Sequence, residues 1–282
     1  MFQRISNSWR LVKASMEVLR ADKELVVFPI VSFIALLIVT ATFAVPTVLA
    51  GIFDSAVSGN DGIPVAGYVI GFLFYLVQYF VIFFANSALV GAAMIRLRGG
   101  DPTVSDGFRI ATQRISKIFI YALISATVGI VLRIISERAG TIGEIIASII
   151  GIGWSLATYL VVPVLVVEDV GPIESLKRSG TLLKRTWGEQ VVGNFGIGTI
   201  FGLLMLGTVL LGVPLIFVAA AAESVALILL VIGLLIMAIA TLALLNATLS
   251  GIYAAALYRY AADGNTSGYF EQELIANAFR QK

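Results

Sequence analysis

Six times along the chain an apolar run long enough to cross a hydrocarbon core of about 30 Å, which takes about 20 helical residues, is closed by a short polar break. The runs cover residues 25–50, 64–97, 118–135, 144–167, 191–222 and 224–260. Lipid offers no hydrogen-bond partner to a backbone N–H or C=O, so each run must satisfy its own backbone as a helix. The fold class this predicts is all-α: a polytopic membrane protein with six transmembrane helices. One membrane domain spans residues 1–262, and residues 263–282 form a short polar cytoplasmic tail. The second run, read as one helix at 1.5 Å per residue, would measure roughly 50 Å, so it must tilt, kink or protrude.

Between the runs lie three stretches in which apolar residues recur at steps of three and four with basic residues interleaved, the mark of an amphipathic helix. The first, near residues 4–22, places Ile5, Trp9, Val12, Met16 and Leu19 on one face and Arg4, Arg10, Lys13, Glu17 and Arg20 between them. A second, near 104–117, repeats that register with Val104, Phe108, Ala111, Ile115 and Ile118, and Phe108-Arg109 echoes Trp9-Arg10. The third, near 173–187, opens after Gly171-Pro172, where a proline in the first helical turn gives up no bond. It sets Ile173, Leu176, Gly180, Leu183 and Trp187 opposite Glu174, Lys177, Arg178, Lys184 and Arg185. Each helix is followed by two spans, so the chain reads as three pseudo-repeated helix-plus-hairpin units. Such helices either lie in the membrane interface or pack on their own protein. In the first case Arg10, Lys13, Arg109, Lys177, Arg178, Lys184 and Arg185 are candidate contacts to anionic lipid.

Charge placement tests the topology independently of hydropathy. Of 19 Lys and Arg residues, only Arg133 and Arg138 fall outside when both termini are cytoplasmic, as the positive-inside rule requires. The expected location is the cell membrane, crossed six times.

With 59% hydrophobic residues, 13% charged and a mean hydropathy of +0.98, the chain is far more apolar than a soluble domain. The absence of cysteine and histidine removes disulfides, thiolate chemistry, the commonest metal ligand and the usual base near neutral pH. No nucleotide loop, kinase set or zinc motif occurs. The reading is therefore of a protein that is not an enzyme, has no cofactor or metal, and does not bind nucleic acid.

Polar groups at membrane depth are functional candidates by default. Gln78, Asn86, Asn194 and Asn246 form the intramembrane set, and they either line a substrate path or hydrogen-bond across helices as packing contacts. Arg133, Glu137, Arg138 and Glu144 cluster at the outer end of the third and fourth spans, with Arg133 and Glu137 at i and i+4. Two acids and two bases at a membrane mouth could hold a zwitterionic headgroup, or could be side chains snorkelling beside a tight turn. Glu168 and Asp169 follow the fourth span and suit a salt-bridged junction with Lys177 and Arg178 nearby.

The motif P-x-x-x-x-E-D-x-G-x-x-E-S-L-K-R-S, here Pro163, Glu168, Asp169, Gly171, Glu174, Ser175, Leu176, Lys177, Arg178 and Ser179, resembles one found in a loose set of membrane families. These are uncharacterised bacterial and archaeal six-helix proteins, the membrane domain of glycerophosphodiester phosphodiesterases and, at this exit segment alone, choline-transporter-like proteins. The opening SWRLVKASMEVLRADKELVVFP, residues 8–29, is similar to the start of the first group. The histidine-dependent phosphodiesterase domain has no counterpart in this chain. The resemblance implies a six-helix fold and a link to lipid or amine cargo. Two functions follow as expectations: a transporter or lipid-interacting module for a small amine or phospholipid-type cargo, or a scaffold that packs with itself or another membrane protein.

Overall fold

A computed structural model describes residues 2–49, 65–138, 140–187 and 196–276. Among them every regular element is a helix. In chain order these are α1 (Phe2–Ala21), α2 (Val27–Leu49) after a 3-10 turn (Lys23–Val26), α3 (Val65–Leu97), α4 (Val104–Gln113), α5 (Ile115–Arg138), α6 (Gly140–Thr158), α7 (Val161–Val167), α8 (Pro172–Trp187), α9 (Gly196–Ala221), α10 (Val225–Asp263) and α11 (Gln272–Ala276). Six helical stretches are long and apolar enough to cross a membrane: Lys23–Pro46, Gly67–Leu97, Ile115–Ser136, Gly140–Val167, Ile197–Ala221 and Val225–Asp263. Their outward faces carry Leu211 at 73% and Phe217 at 71% exposure. A water-soluble surface rarely tolerates a large continuous apolar patch, whereas lipid tails solvate one.

Local chemistry accounts for where the helices end. The fourth span breaks between Thr158 and Val161. Pro163 has no N–H to give Tyr159, and its ring crowds that carbonyl four residues back. The Leu160 N–H, left over at the break, donates to Ser179 Oγ at 3.0 Å. Gly140 to Gly143 form the first turn of α6. Thr103 caps α4: its Oγ1 accepts from the Asp106 N–H at 3.2 Å, and the Asp106 carboxylate accepts the Thr103 N–H at 3.0 Å. That reciprocal box satisfies two N–H groups that a helix start otherwise leaves open.

The described chain divides into two compact units. One comprises residues 1–26, 93–101 and 184–282. In it α1 packs along α9 and α10, which form a hairpin. The segment read from sequence as a polar tail folds back here, burying Phe270, Leu274 and Ile275. Trp187 Nε1 donates to the Ile275 carbonyl at 3.2 Å, Arg185 donates to the Ala261 carbonyl at 2.9 Å, and Arg259 donates to the Leu97 carbonyl. Asp22, almost wholly buried, lies 3.4 Å from Arg96 Nε. Burial pushes its carboxyl above the ordinary value, against the pull of Arg96.

The other unit comprises residues 27–92 and 102–183. One hydrophobic cluster in it is a seam between α3 and α5, in which small residues meet large ones. Ala122 and Ala126 on α5 lie under Leu76, with Phe72, Tyr79, Phe80 and Phe83 of α3 packed around them. Phe83 and Tyr121 bring ring centroids to 4.4 Å. Near the start of α5, Phe108 packs edge-on to Phe28 at 5.2 Å and stacks near Phe84 at 6.2 Å.

Candidate functional site

The α3–α5 seam does not close at its far end. Ala122, Ala126, Gly129 and Arg133 succeed one another at steps of four, three and four, so they share one face of α5. Tyr75 and Tyr79 sit one turn apart on α3. Where alanine gives way to glycine the seam opens into a cavity of about 90 Å³, lined by Tyr75, Tyr79, Ala126, Gly129, Ile130 and Arg133. A Cβ added at Gly129 would stand 3.3 Å from the Tyr79 hydroxyl. Glycine is therefore what leaves the phenol room. Arg133 Nη1 donates to the Tyr75 hydroxyl at 3.0 Å, which ties the guanidinium to the rim.

At the other end of α5 charge is arranged differently. Arg114 and Lys117 both pair with the Asp169 carboxylate, and Lys117 Nζ also donates to the Asp169 carbonyl at 2.6 Å. Those hydrogen bonds, Lys117 first and then Arg114, hold the Asp169 carboxyl below its ordinary range. Arg178 Nε lies 3.1 Å from both oxygens of Glu168. Arg109 pairs with Asp106 at 2.7 Å, and the Thr103 hydroxyl and backbone lower the Asp106 carboxyl as well.

The residues singled out from sequence fall into distinct groups. Gln78 donates to Thr40 Oγ1 at 3.0 Å across α2 and α3, while Thr40 itself donates to the Leu36 carbonyl. Asn246 accepts from Ser250 Oγ at 3.4 Å on its own helix, and Asn86 is half-buried on α3. Asn194 lies outside the described residues. In the outer cluster Arg133 reaches the cavity and Glu144 is exposed on α6. Glu137 and Arg138 belong to α5, but their side chains lie outside what is described. Of the proposed lipid-contacting cations, Arg10 pairs with Glu271 at 2.5 Å, and Arg109, Arg178 and Arg185 bond within the protein as given above. Lys13, Lys177 and Lys184 are exposed. Sequence reasoning missed Tyr75, Tyr79 and Gly129. The signal available was their spacing, with one i,i+4 pair on each of two spans.

Six described helical stretches long and apolar enough to cross a membrane define an integral membrane protein of the all-α class. The chain belongs to a family of unknown function, DUF6159, whose family model matches residues 65–269. No curated protein and no solved structure matches the chain.

Proposed function

We propose that this protein is a non-enzymatic, lipid-interacting membrane module whose cargo is a phospholipid or a small amine of the kind found in headgroups. The cavity beside Arg133 carries this reading. Whole-ligand sites usually enclose several hundred Å³, so about 90 Å³ suits one polar group of a lipid whose tails stay in the bilayer. The exit motif, read as resembling one in lipid- and amine-handling families, agrees with this reading. Native mass spectrometry of the full chain released from nanodiscs tests it, with specific lipid adducts expected. Bare protein from every lipid composition would remove the reading.

On this proposal both termini face the cytoplasm of a cell-membrane protein, and α1, α4 and α8 are the interfacial helices of three related units. Lys13, Lys177 and Lys184 are then the cations best placed to meet anionic lipid. In this cysteine-free chain a Thr141→Cys variant should be labelled from outside and an Asp101→Cys variant only from inside. Reversal of that pattern would overturn the topology.

One observation favours a scaffold as the second reading. Gly198 and Gly202, four apart on α9, are exposed, and a Cβ at either would meet nothing within 4 Å. Small residues at this spacing let helices approach closely in lipid. Cross-linking in native membranes, with Gly202→Leu as the control, separates the two: a dimer lost in that variant supports the scaffold, and a monomer throughout excludes self-association.

A further inference from the structure

We infer that the cavity between α3 and α5 takes the phosphate of a phospholipid headgroup, with Arg133 as its anchor. The inference rests on the lipid-interacting reading and narrows it to one chemistry.

Depth supports it first. Lys117 and Arg133 are 16 residues apart on a continuous helix, about 24 Å at 1.5 Å per residue. When Lys117 stands at one edge of a core about 30 Å thick, Arg133 arrives close to the other edge, where phosphates lie. The donor set is the second support. A guanidinium is a planar fork matched to phosphate oxygens, and in a site of low dielectric such charge-assisted bonds are stronger than neutral ones. Tyr75, accepting from Nη1 at 3.0 Å, keeps its own O–H to donate. The Tyr79 hydroxyl lies at the gap that Gly129 leaves. Three donor groups therefore converge on a space large enough for one small anion.

Glu137 is the acid closest to Arg133 in sequence. Its removal takes one negative charge from this part of the chain, so Glu137→Gln should help binding if phosphate is what the site holds.

The decisive measurement is lipid retention by the purified full chain, read by native mass spectrometry. The probes are phosphatidylglycerol, phosphatidylethanolamine and diacylglycerol of identical chains, together with inorganic phosphate. Both phospholipids should be retained about tenfold better than diacylglycerol, a ratio in keeping with one hydrogen bond to a charged group. Arg133→Gln should erase that ratio, and so should Gly129→Leu, which fills the space without changing charge. Glu137→Gln should hold or raise retention. Thermal melts identify any variant that has merely unfolded, and Tyr79→Phe, which alters only a hydroxyl, supplies a milder loss. Equal retention of diacylglycerol and phospholipid overturns the phosphate site while leaving lipid binding intact. So does a ratio that survives both Arg133→Gln and Gly129→Leu. Binding of inorganic phosphate that displaces lipid shows a free anion to be the ligand and overturns the headgroup assignment. A loss in Glu137→Gln equal to that in Arg133→Gln shows that the amine is being read instead. If no lipid of any class is retained, the broader lipid reading falls as well.

Discussion

The two ends of α5 carry the same kind of side chain and use it in opposite ways. Near its start Arg114 and Lys117 converge on Asp169, and the aromatic contact of Phe28, Phe84 and Phe108 lies alongside. Near its other end Arg133 reaches a tyrosine hydroxyl at the rim of a cavity. At the first end two cations meet a carboxylate, and at the second a guanidinium meets a neutral hydroxyl beside a space. A count of basic residues treats both ends alike. Their partners and packing separate a junction from a candidate site.

The largest effect should come from the junction's packing. A Cβ at Gly107 would lie 2.3 Å from the Phe28 ring and 2.8 Å from the Ala88 carbonyl oxygen. The ring can turn aside but the backbone oxygen cannot. Gly107→Ala should therefore cost about 3 kcal/mol, the upper part of the range for overpacking, seen as a lower melting temperature and poor yield in detergent. Adding Phe28→Leu should recover only part. Full recovery, or a silent Gly107→Ala, would show that α4 is held less tightly than this end of the comparison requires.

Next in size is the charge at the same end. Asp169 adopts φ 56°, a left-handed conformation that asparagine tolerates equally well, so Asp169→Asn removes charge without new strain. Its carboxyl is held below the ordinary 3.8 by Lys117 and Arg114, and a depressed carboxyl stabilises the fold above that value. The contribution is lost as pH falls below 3.8 through the folded pKa. Asp106 adds to the same window. Asp22, whose carboxyl is raised, has the opposite sign: its contribution falls as pH rises above 3.8. Melting curves should show wild type losing more stability than Asp169→Asn on acidification below 3.8. Parallel curves would mean that Asp169 does not fasten the junction.

Why the junction was partly legible in the sequence, and the cavity not, follows from what periodicity measures. The six candidate spans could be read because lipid thickness sets an apolar length, and the break near Pro163 has a local cause in the proline's missing N–H. The face of α8 was harder. Spacing placed Ile173 on its oily side, yet Ile173 is 63% exposed while Ser175 and Ser179 are fully buried. Ser175 Oγ donates to the Gly171 carbonyl at 3.0 Å and Ser179 accepts from Leu160, so two hydroxyls pack inward with their bonds made. In a membrane chain an apolar stripe meets lipid as readily as protein, and hydrophobicity no longer tells inside from outside. Pairing Glu168 with Arg178 needed only ten residues of chain. Bringing Asp169 to Arg114, or Tyr75 to Arg133, depends on which helices pack together, and that is a tertiary fact.

A smaller effect tests whether the polar residues inside α2 and α3 belong with the junction or with the cavity. Gln78 spends its amide on Thr40, whose hydroxyl is already committed to Leu36. Gln78→Leu should cost about 0.6 kcal/mol, the average for an interhelical bond in lipid, and leave lipid retention unchanged. Reduced retention at unchanged stability would move Gln78 from packing to the site.

The smallest effect on stability sharpens the contrast most. Arg133 is exposed, and its bond to Tyr75 joins two groups at a rim, not in a packed core. Surface substitutions of this kind usually stay within about 0.5 kcal/mol, so Arg133→Gln should melt with wild type, whereas Asp169→Asn at the other end of the same helix should not. If the two variants destabilise alike, both ends of α5 are junctions and the cavity is a packing fault between α3 and α5. If Arg133→Gln keeps its melting temperature but loses phospholipid, the guanidinium is held ready for a ligand. Placing its cation at the edge of the apolar core, with aromatic hydroxyls around it and a glycine beside the Tyr79 hydroxyl, is then what this end of the helix is for.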